Sequence, residues 1–276
     1  MVVAISAKDV MSLRKKTGLG MMECKQALAE TDGDVDRAID LLRQKGLAKM
    51  DSRADRQASE GRIGIAFSDD KTKAAIVELN TETDFTAGND AFKALVQNVV
   101  NQSMSQGSGD VENTDAIQGA IDELRLTTKE NVQFARGRVL GGKSRSKIGS
   151  YLHFTGQVGV LVEVEASEGG QVTDQLLSDL CMHIAAASPP PIAVDETGVD
   201  PKIVEKEREI AKAQAIEQGK PEQIAEKMVE GKIRKFYEDH VLMKQSFIKD
   251  DKKQIKDLFP TGVVVKNFVR YQLGES

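Results

Sequence analysis

The chain has 276 residues, of which 40% are hydrophobic and 29% charged, and its formal net charge is −5. This length allows two or three domains with a sizeable core. The negative net charge argues against electrostatic binding to the phosphates of nucleic acid. No apolar run is long enough to span a membrane, and the N-terminus lacks the composition of a signal or transit peptide, so we expect a cytoplasmic protein. Cys24 and Cys181 lie far apart without CxxC spacing, which argues against a disulfide framework and a zinc site.

The N-terminal residues predict a small domain of three short helices. Ser6 is placed to cap the first helix, whose apolar face carries Val10 and Leu13. Gly18-Leu19-Gly20 breaks the chain before the second helix, and Gly46 is placed to end the third. Apolar stripes at helical spacing mark the second and third helices: Met21, Cys24, Ala27 and Leu28, then Val35, Ala38, Ile39 and Leu42. So small a core indicates a mini-domain rather than the body of an enzyme.

An internal duplication at an offset of 85 residues organises the middle of the chain. Arg62-Ile63-Gly64 recurs as Lys147-Ile148-Gly149, and residues 75–79 recur as 160–164. The offset persists in the next apolar pattern, where the aligned pairs are Phe92 with Leu177, Leu95 with Leu180, and Val99 with Ile184. Each copy predicts a strand, a hairpin, a second strand and a helix. Two such units predict an α+β core of two similar halves, whose antiparallel sheets are covered by helices; the first copy adds a helix at 115–126.

The two copies differ in the loop after the second strand. In the first copy, residues 81–86 carry one large apolar side chain, Phe85, directly after Asp84. A carboxylate beside an aromatic ring at the tip of a loop is suited to act as a wedge in another protein. Alternatively, Phe85 folds into its own core while Thr83 or Asp84 caps the following helix. The second copy has Gly170 where the first has Phe85, which weakens the core alternative without excluding it.

Two highly charged helices are predicted in the last third of the chain, at 201–218 and 221–240, after a proline run at 188–191 ends the helix of the second copy. Their narrow apolar stripes are typical of a projecting antiparallel hairpin. These stripes comprise Ile203 and Ile210 on the first helix, and Ala225, Met228, Val229 and Phe236 on the second. Beyond the hairpin, the sequence predicts a short helix at 252–259 and a strand at 263–273 that would complete the second sheet.

Residues 137–144 match the P-loop pattern GxxxxGK[ST], with Lys143 and Ser144 at its end. A P-loop needs a helix directly after these two residues, because the N-terminal amides of that helix bind the phosphates. Here residues 145–154 are rich in strand-forming types, and the duplication independently predicts a strand. We therefore expect a flexible connection between the two halves and no nucleotide site.

The three histidines are dispersed and show no metal-ligand spacing. His183 lies in an apolar helix, where a buried, hydrogen-bonded histidine is the usual case. His153 lies on a predicted strand of the second copy and either is structural or faces a partner. No nucleophile elbow, zinc-protease motif or glycosidase-like carboxylate pair is present, so we expect no enzyme activity, no metal and no cofactor.

Two long motifs stand out, TGLGMMECKQAL at residues 17–28 and ELNTETDF at residues 78–85. They resemble the N-terminal and second signatures of the bacterial elongation factor Ts family. The runs at 149–151, 182–186 and 219–231 are similar to this family too. The resemblance covers essentially the whole chain in order, and several motifs in one order are far more specific than any single pattern.

The resemblance implies a ubiquitin-associated-like three-helix domain, a core of two similar subdomains, and an inserted helical hairpin, or coiled coil. The corresponding boundaries are 1–48 for the three-helix domain, 49–60 for a charged linker, 61–146 for the first core subdomain, 147–188 with 241–276 for the second, and 189–240 for the hairpin. Some members carry a further C-terminal helical module, and this chain ends before one could form.

The resemblance also implies guanine nucleotide exchange on elongation factor Tu, the GTPase that delivers aminoacyl-tRNA to the ribosome. In that family a Thr-Asp-Phe loop enters the GTPase domain near its bound Mg²⁺ and displaces the ion. The phosphate-binding loop of the GTPase then binds GDP less tightly. Carried over by motif, Asp84 and Phe85 have this role and are flanked by Thr83 and Thr86. The family commonly has valine where this chain has Thr86, so the apolar part of the wedge rests on Phe85 alone.

Further contacts with elongation factor Tu follow from the same resemblance. Met21, Met22 and Lys25 match the N-terminal contact surface, and Arg14 is assigned beside them. His153 falls where the family has a contact histidine in the second subdomain. The predicted partner set contains neither nucleic acid nor a membrane, while pairing into a homodimer stays open. The alternative function is a non-catalytic binding adaptor that uses the three-helix domain, and a third is a P-loop nucleotide enzyme.

Overall fold

The computed structural model describes residues 5–51, 55–142, 145–167, 170–219 and 221–275. The fold is α+β, as predicted. Its α-helices are α1 (Ala7–Thr17), α2 (Met21–Glu30), α3 (Val35–Asp51), α4 (Asp84–Gly88), α5 (Asp90–Ser103), α6 (Asp115–Thr128), α7 (Asp174–Ala186), α8 (Pro201–Glu217) and α9 (Glu222–His240). Its strands are β1 (Glu60–Phe67), β2 (Lys73–Thr81), β3 (Gly109–Asp110), β4 (Gln133–Gly141), β5 (Ser146–Leu152), β6 (Val158–Ala166), β7 (Ser246–Phe247), β8 (Asp250–Gln254) and β9 (Val263–Gln272).

The chain divides into two compact units. The first comprises Met1–Ala66, Ala75–Arg138 and Gln272–Ser276, and the second comprises Phe67–Ala74 and Val139–Tyr271. The described strands form three sheets, with the orders β1-β2-β4-β3, β5-β6-β9 and β7-β8. The strand predicted at 263–273 therefore joins the second sheet beside β6, as expected.

In the first unit, α1, α2 and α3 pack around the small apolar core that the stripes predicted. Ser6 caps α1 by accepting a hydrogen bond from the Asp9 N–H at 3.2 Å, and Gly18 ends α1 with a φ of 70°. The buried side chains of this core are Val10, Leu13, Cys24, Ala27, Leu28, Ala38 and Leu42. These spacings were readable in the sequence because each helix buries only one face.

The prediction that Gly46 ends the third helix is wrong. Helix α3 continues to Asp51 and takes up the beginning of the predicted linker. A Cβ atom at Gly46 would collide with the Leu126 side chain on α6. The glycine therefore allows α3 and α6 to approach closely, and it is not a helix stop.

The internal duplication is confirmed, and one glycine in each copy explains part of the repeated motif. A Cβ at Gly64 on β1 would lie 2.5 Å from Val96 Cγ1 on α5, and one at Gly149 on β5 would lie 2.8 Å from Leu177 Cβ on α7. Contacts this short cannot be accommodated unless the side chains of the helix, or the helix itself, shift. Each copy thus needs glycine where its helix crosses its first strand, which accounts for the shared Ile-Gly pair.

In the second unit, β5 and β6 pair antiparallel with Ser146 opposite Glu165 and Leu152 opposite Gly159. Because β5 begins at Ser146, the segment after the P-loop-like match is a strand and not the helix that phosphate binding requires. Residues 137–141 themselves lie in β4. Lys143 and Ser144 lie outside the described residues.

Helices α8 and α9 pack on each other as the predicted hairpin, but the predicted stripe on the first helix is wrong. Ile203 and Ile210 are exposed, and the buried side chains of the pair are Ala211, Ala215, Ala225 and Ile233. Small alanines let two helices approach closely, so the seam lies on a face that hydrophobicity alone does not mark.

The prediction of a helix at 252–259 is only partly correct. Strand β8 occupies the start of this range, and a 3₁₀ turn spans Ile255–Leu258.

His183 is a buried, hydrogen-bonded histidine of α7, as the sequence suggested. Its Nδ1 accepts the Ile248 N–H at 3.4 Å, so Nε2 carries the proton and donates to Gln245 Oε1 at 2.9 Å. Gln245 in turn donates to the carbonyl oxygens of Pro189 and Asp239. Burial lowers the pKa of His183 below its usual 6.5, and the hydrogen bond with Gln245 opposes this only in part.

Acidification should therefore destabilise the fold through His183. Because its folded pKa is depressed, the unfolded chain takes up the proton first, so this stabilising contribution is present above about pH 6.5 and is lost below it. Between pH 7 and 5.5 we expect the free energy of unfolding of the wild-type chain to fall more than that of His183→Gln, by at most about 1 kcal/mol. Urea unfolding at both pH values measures this difference, and equal losses would contradict it.

Candidate functional site

The predicted loop after β2 contains a short helix, α4, so the expectation of a plain loop there is corrected. Thr83 caps α4, because its Oγ1 accepts the Thr86 N–H at 3.2 Å and its carbonyl accepts the Ala87 N–H at 3.1 Å. Asn89 then caps α5 directly, by accepting the Ala91 N–H at 2.9 Å. Two caps in succession fix the backbone between β2 and α5. We call residues 81–88 the α4 turn.

Phe85 is 83% exposed on the α4 turn, so the alternative that it packs into its own core is wrong. The buried residues of α4 are Thr86 and Ala87, one and two positions further on. Since successive helical residues point about 100° apart, turning these two inward leaves Asp84 and Phe85 outward, and Asp84 is exposed too. Full burial of a phenylalanine side chain stabilises by roughly 1.5–3 kcal/mol, and the isolated chain forgoes this here.

The α4 turn is held from behind by Glu130, which follows α6. Its Oε1 accepts hydrogen bonds from the hydroxyls of Thr83 and Thr86, both at 2.7 Å. Its Oε2 accepts the Thr81 hydroxyl at 2.8 Å and the Thr83 N–H at 3.2 Å. One half-buried carboxylate thus joins the end of β2, the cap of α4 and the inward side of α4.

Glu130 is ionised at neutral pH. Burial raises the pKa of this carboxyl, but the hydrogen bonds from Thr86, Thr83 and Thr81 together lower it further than burial raises it, so it lies below the usual 4.5. A carboxylate can only accept hydrogen bonds, and all four groups around it donate. The turn and the charge therefore stabilise each other.

A second set of hydrogen bonds holds the other side of the turn. The Asn131 N–H donates to Glu82 Oε1 at 2.7 Å, and the Asn131 amide donates to the Arg56 carbonyl at 2.7 Å. Arg56 also pairs with Glu82 at 3.5 Å. Sequence reasoning missed both Glu130 and Asn131, because no local spacing connects them with a turn more than 40 residues earlier.

The predicted N-terminal contact residues all lie on the surface of the helical bundle. Met21 and Met22, at the start of α2, are 50% and 73% exposed, so Met21 is not part of the buried stripe. Arg14 on α1 and Lys25 on α2 are exposed as well. Met11, 64% exposed one helical turn before Arg14, adds a methionine that the sequence reasoning missed.

His153 lies in the turn after β5 and not on the strand, which corrects the predicted placement. Its N–H donates to the Val158 carbonyl, and its Nδ1 is 2.8 Å from Thr155 Oγ1. The neighbouring Phe154 is 87% exposed, with its ring centroid 4.3 Å from that of His153. Sequence reasoning missed Phe154, although the duplication offered a signal, since the first copy has Asp69 at the equivalent position.

Within the described part of the chain, no group of three or more His, Cys, Asp or Glu side chains is arranged to hold a metal ion. Among the helices described, none is both long and apolar enough to cross a bilayer.

Comparison with known proteins identifies relatives across nearly the whole chain. The family model described as elongation factor TS matches residues 82–275. The elongation factor Ts of Thioalkalivibrio sulfidiphilus is 43% identical over 281 residues, which cover 99% of this chain and 93% of the relative. Those of Nitratiruptor sp. and Aquifex aeolicus are 40% and 36% identical, each over 290 residues, and the latter alignment covers 99% of both chains.

Removing the cap of α4 should loosen the turn. Thr83→Ala deletes both the acceptor for the Thr86 N–H and one donor to Glu130, and loss of an N-cap costs on the order of 1 kcal/mol. We expect faster amide hydrogen exchange at Thr86 and Ala87, whereas Thr83→Ser, which keeps the hydroxyl, should exchange nearly as the wild type does. Unchanged protection in Thr83→Ala would show that the cap does not hold the turn.

Proposed function

Because the chain belongs to the elongation factor Ts family, we propose that it is a guanine nucleotide exchange factor for elongation factor Tu and acts during translation elongation. In this proposal it binds elongation factor Tu with GDP, promotes displacement of Mg²⁺ and release of GDP, and leaves the GTPase free to bind GTP. It performs no covalent chemistry and needs no cofactor of its own. The setting is the cytoplasm, where translation takes place.

One observation carries the mechanism: the exposed Phe85, beside the exposed Asp84, on a turn that its surroundings hold in place. An interaction surface that is already ordered loses less conformational entropy on binding. The exposed ring regains in the complex the hydrophobic stabilisation that it lacks in the free chain. We propose that Phe85 inserts between helices of the GTPase domain and that Asp84 acts near the Mg²⁺ site.

The thermodynamics follow from linkage between two ligands of one GTPase. If the factor weakens GDP binding by some ratio, GDP must weaken binding of the factor by the same ratio. A cation such as Mg²⁺ is the largest local charge in a phosphate site, so dislodging it weakens the hold on GDP strongly. The factor leaves unchanged, and it therefore alters how fast the GDP and GTP forms interconvert and not their final balance.

The remaining predicted residues have supporting roles in this proposal. Thr83 and Thr86 flank the wedge and support it through their hydrogen bonds with Glu130. The exposed residues on α1 and α2 form a second contact with elongation factor Tu; these are Arg14, Met21, Met22 and Lys25. His153 forms a third contact. We propose the three-helix domain at 1–48, core subdomains at 61–146 and at 147–188 with 241–276, and the coiled-coil hairpin at 189–240.

Phe85→Ala tests the wedge directly. We expect GDP release at saturating factor to slow by at least about tenfold, a change of ~1.4 kcal/mol in the activation free energy. Because the ring is exposed, the free energy of unfolding should stay within about 0.5 kcal/mol of the wild type. Stopped-flow release of a fluorescent GDP from elongation factor Tu gives the rate, and urea unfolding gives the stability.

Ile216→Ala provides a control, since it removes an exposed apolar side chain from α8 that the proposal does not use. Its release rate should match that of the wild type. Equal rates for Phe85→Ala and the wild type would refute the wedge. A wild-type chain that binds elongation factor Tu but accelerates nothing would instead identify a binding adaptor.

A further inference from the structure

We propose that Glu130 is the positioning residue of the exchange reaction: it holds the α4 turn so that Asp84 and Phe85 point outward at the angle needed to enter the partner. This inference rests on the proposed function. Glu130 itself is half-buried behind the turn, whereas Asp84 and Phe85 are exposed on it. It therefore acts through the two residues and does not replace either.

The helix that carries Phe85 is too short to orient itself. It has five residues, and helices of that length do not persist in water without tertiary support. Its buried side chains are only Thr86 and Ala87, which offer little apolar area. The orientation of α4 must therefore come from its caps and from the polar contacts of its inward side.

Glu130 supplies those contacts at the two positions that bracket the wedge. Thr83 directly precedes Asp84, Thr86 directly follows Phe85, and both donate their hydroxyl protons to the same oxygen at 2.7 Å. The Thr83 hydroxyl also accepts the Thr86 N–H, so it relays between the charge and the helix end. Hydrogen bonds to a charged group are roughly twice as strong as neutral ones, and linked bonds polarise one another.

The second copy of the duplication serves as an internal comparison. At the offset of 85 residues, Thr81, Thr83 and Thr86 correspond to Ala166, Glu168 and Gln171. The copy without a phenylalanine at this position thus lacks all three threonines. The threonines that donate to Glu130 occur only in the copy with an exposed ring to orient, which a general requirement of the duplicated fold would not produce.

Glu130→Gln is the informative substitution because it keeps the size of the side chain. Each carboxylate oxygen accepts two hydrogen bonds here, and the amide replaces one oxygen by a donor. An NH₂ group in place of Oε2 faces the Thr83 N–H, which cannot accept a hydrogen bond, and one in place of Oε1 requires the Thr83 and Thr86 hydroxyls to turn round and accept. In both orientations the negative charge is lost. Glu123→Gln, on the exposed face of α6, makes the same chemical change away from the turn and serves as the matched control.

We expect Glu130→Gln to lower the maximal rate of fluorescent-GDP release from elongation factor Tu by about fivefold or more, with less than about a twofold change in the half-saturating concentration of the factor; the fivefold corresponds to ~1 kcal/mol. The contacts of the three-helix domain are untouched, so affinity should persist. Glu123→Gln should match the wild type. Glu130→Asp, which keeps the charge on a shorter side chain, should recover part of the rate.

A double-mutant cycle separates positioning from simple destabilisation. If Glu130 acts through the turn that carries Phe85, the Glu130→Gln/Phe85→Ala chain should slow GDP release by clearly less than the product of the two single effects. Slowing in the double variant that equals the product of the single effects would overturn the inference, as would a wild-type rate in Glu130→Gln. Should Glu130→Gln fail to fold, the same cycle with Glu130→Asp decides.

The two proposals fail in distinguishable ways. Slow release with Phe85→Ala and normal release with Glu130→Gln would overturn only the role of Glu130. Wild-type release with Phe85→Ala would overturn the wedge and hence both proposals.

Discussion

The conformation of the α4 turn depends on one negative charge that faces four donors. The hydroxyls of Thr81, at the end of β2, and of Thr83 and Thr86, in the α4 turn, all converge on Glu130. Because the ionised carboxylate accepts a hydrogen bond from each of them, these polar groups are all paired. The consequence lies on the other side of the helix, where a phenylalanine ring is kept in water although folding normally favours its burial. The local structure thus gives up some stability of the free chain in order to hold an aromatic ring at the surface on an ordered turn.

The duplicated core is the scaffold that supports this exposed turn. In both copies a glycine lets the helix pack tightly on the first strand, as the close approaches at Gly64 and Gly149 show. The buried strands β2 and β6 carry equivalent apolar runs. Because each copy has its own packed core, the segment that follows the second strand is free to differ between them. One copy uses this freedom for an exposed ring, and the other places a glycine there.

Much of this fold follows from periodicity, and the exceptions share a physical cause. The three N-terminal helices and the two repeated units each bury one regular face, so the spacing of their apolar residues predicts them. Helix α4 escaped prediction because five residues give no period. Gly46 was misinterpreted because the need for a glycine there comes from the side chain of Leu126, which is far away in the sequence. The α8 side of the seam with α9 was misplaced because Ala211 and Ala215, and not Ile203 and Ile210, are buried there.

The candidate site, too, was only partly predictable from the sequence. The motif drew attention to Asp84 and Phe85, but residue types alone could not decide whether the ring was inside or outside. That decision depends on Glu130 and Asn131, which come from a different part of the chain. Lys129, between α6 and Glu130, also pairs with Glu23 on α2 at 3.2 Å, next to the exposed Met22. Residues 129 and 130 are adjacent in the chain, so an insertion between them would prevent Lys129 from reaching Glu23 while Glu130 still contacts the α4 turn. The tip of the hairpin at Gly219, by contrast, has open space around it, so its length can vary.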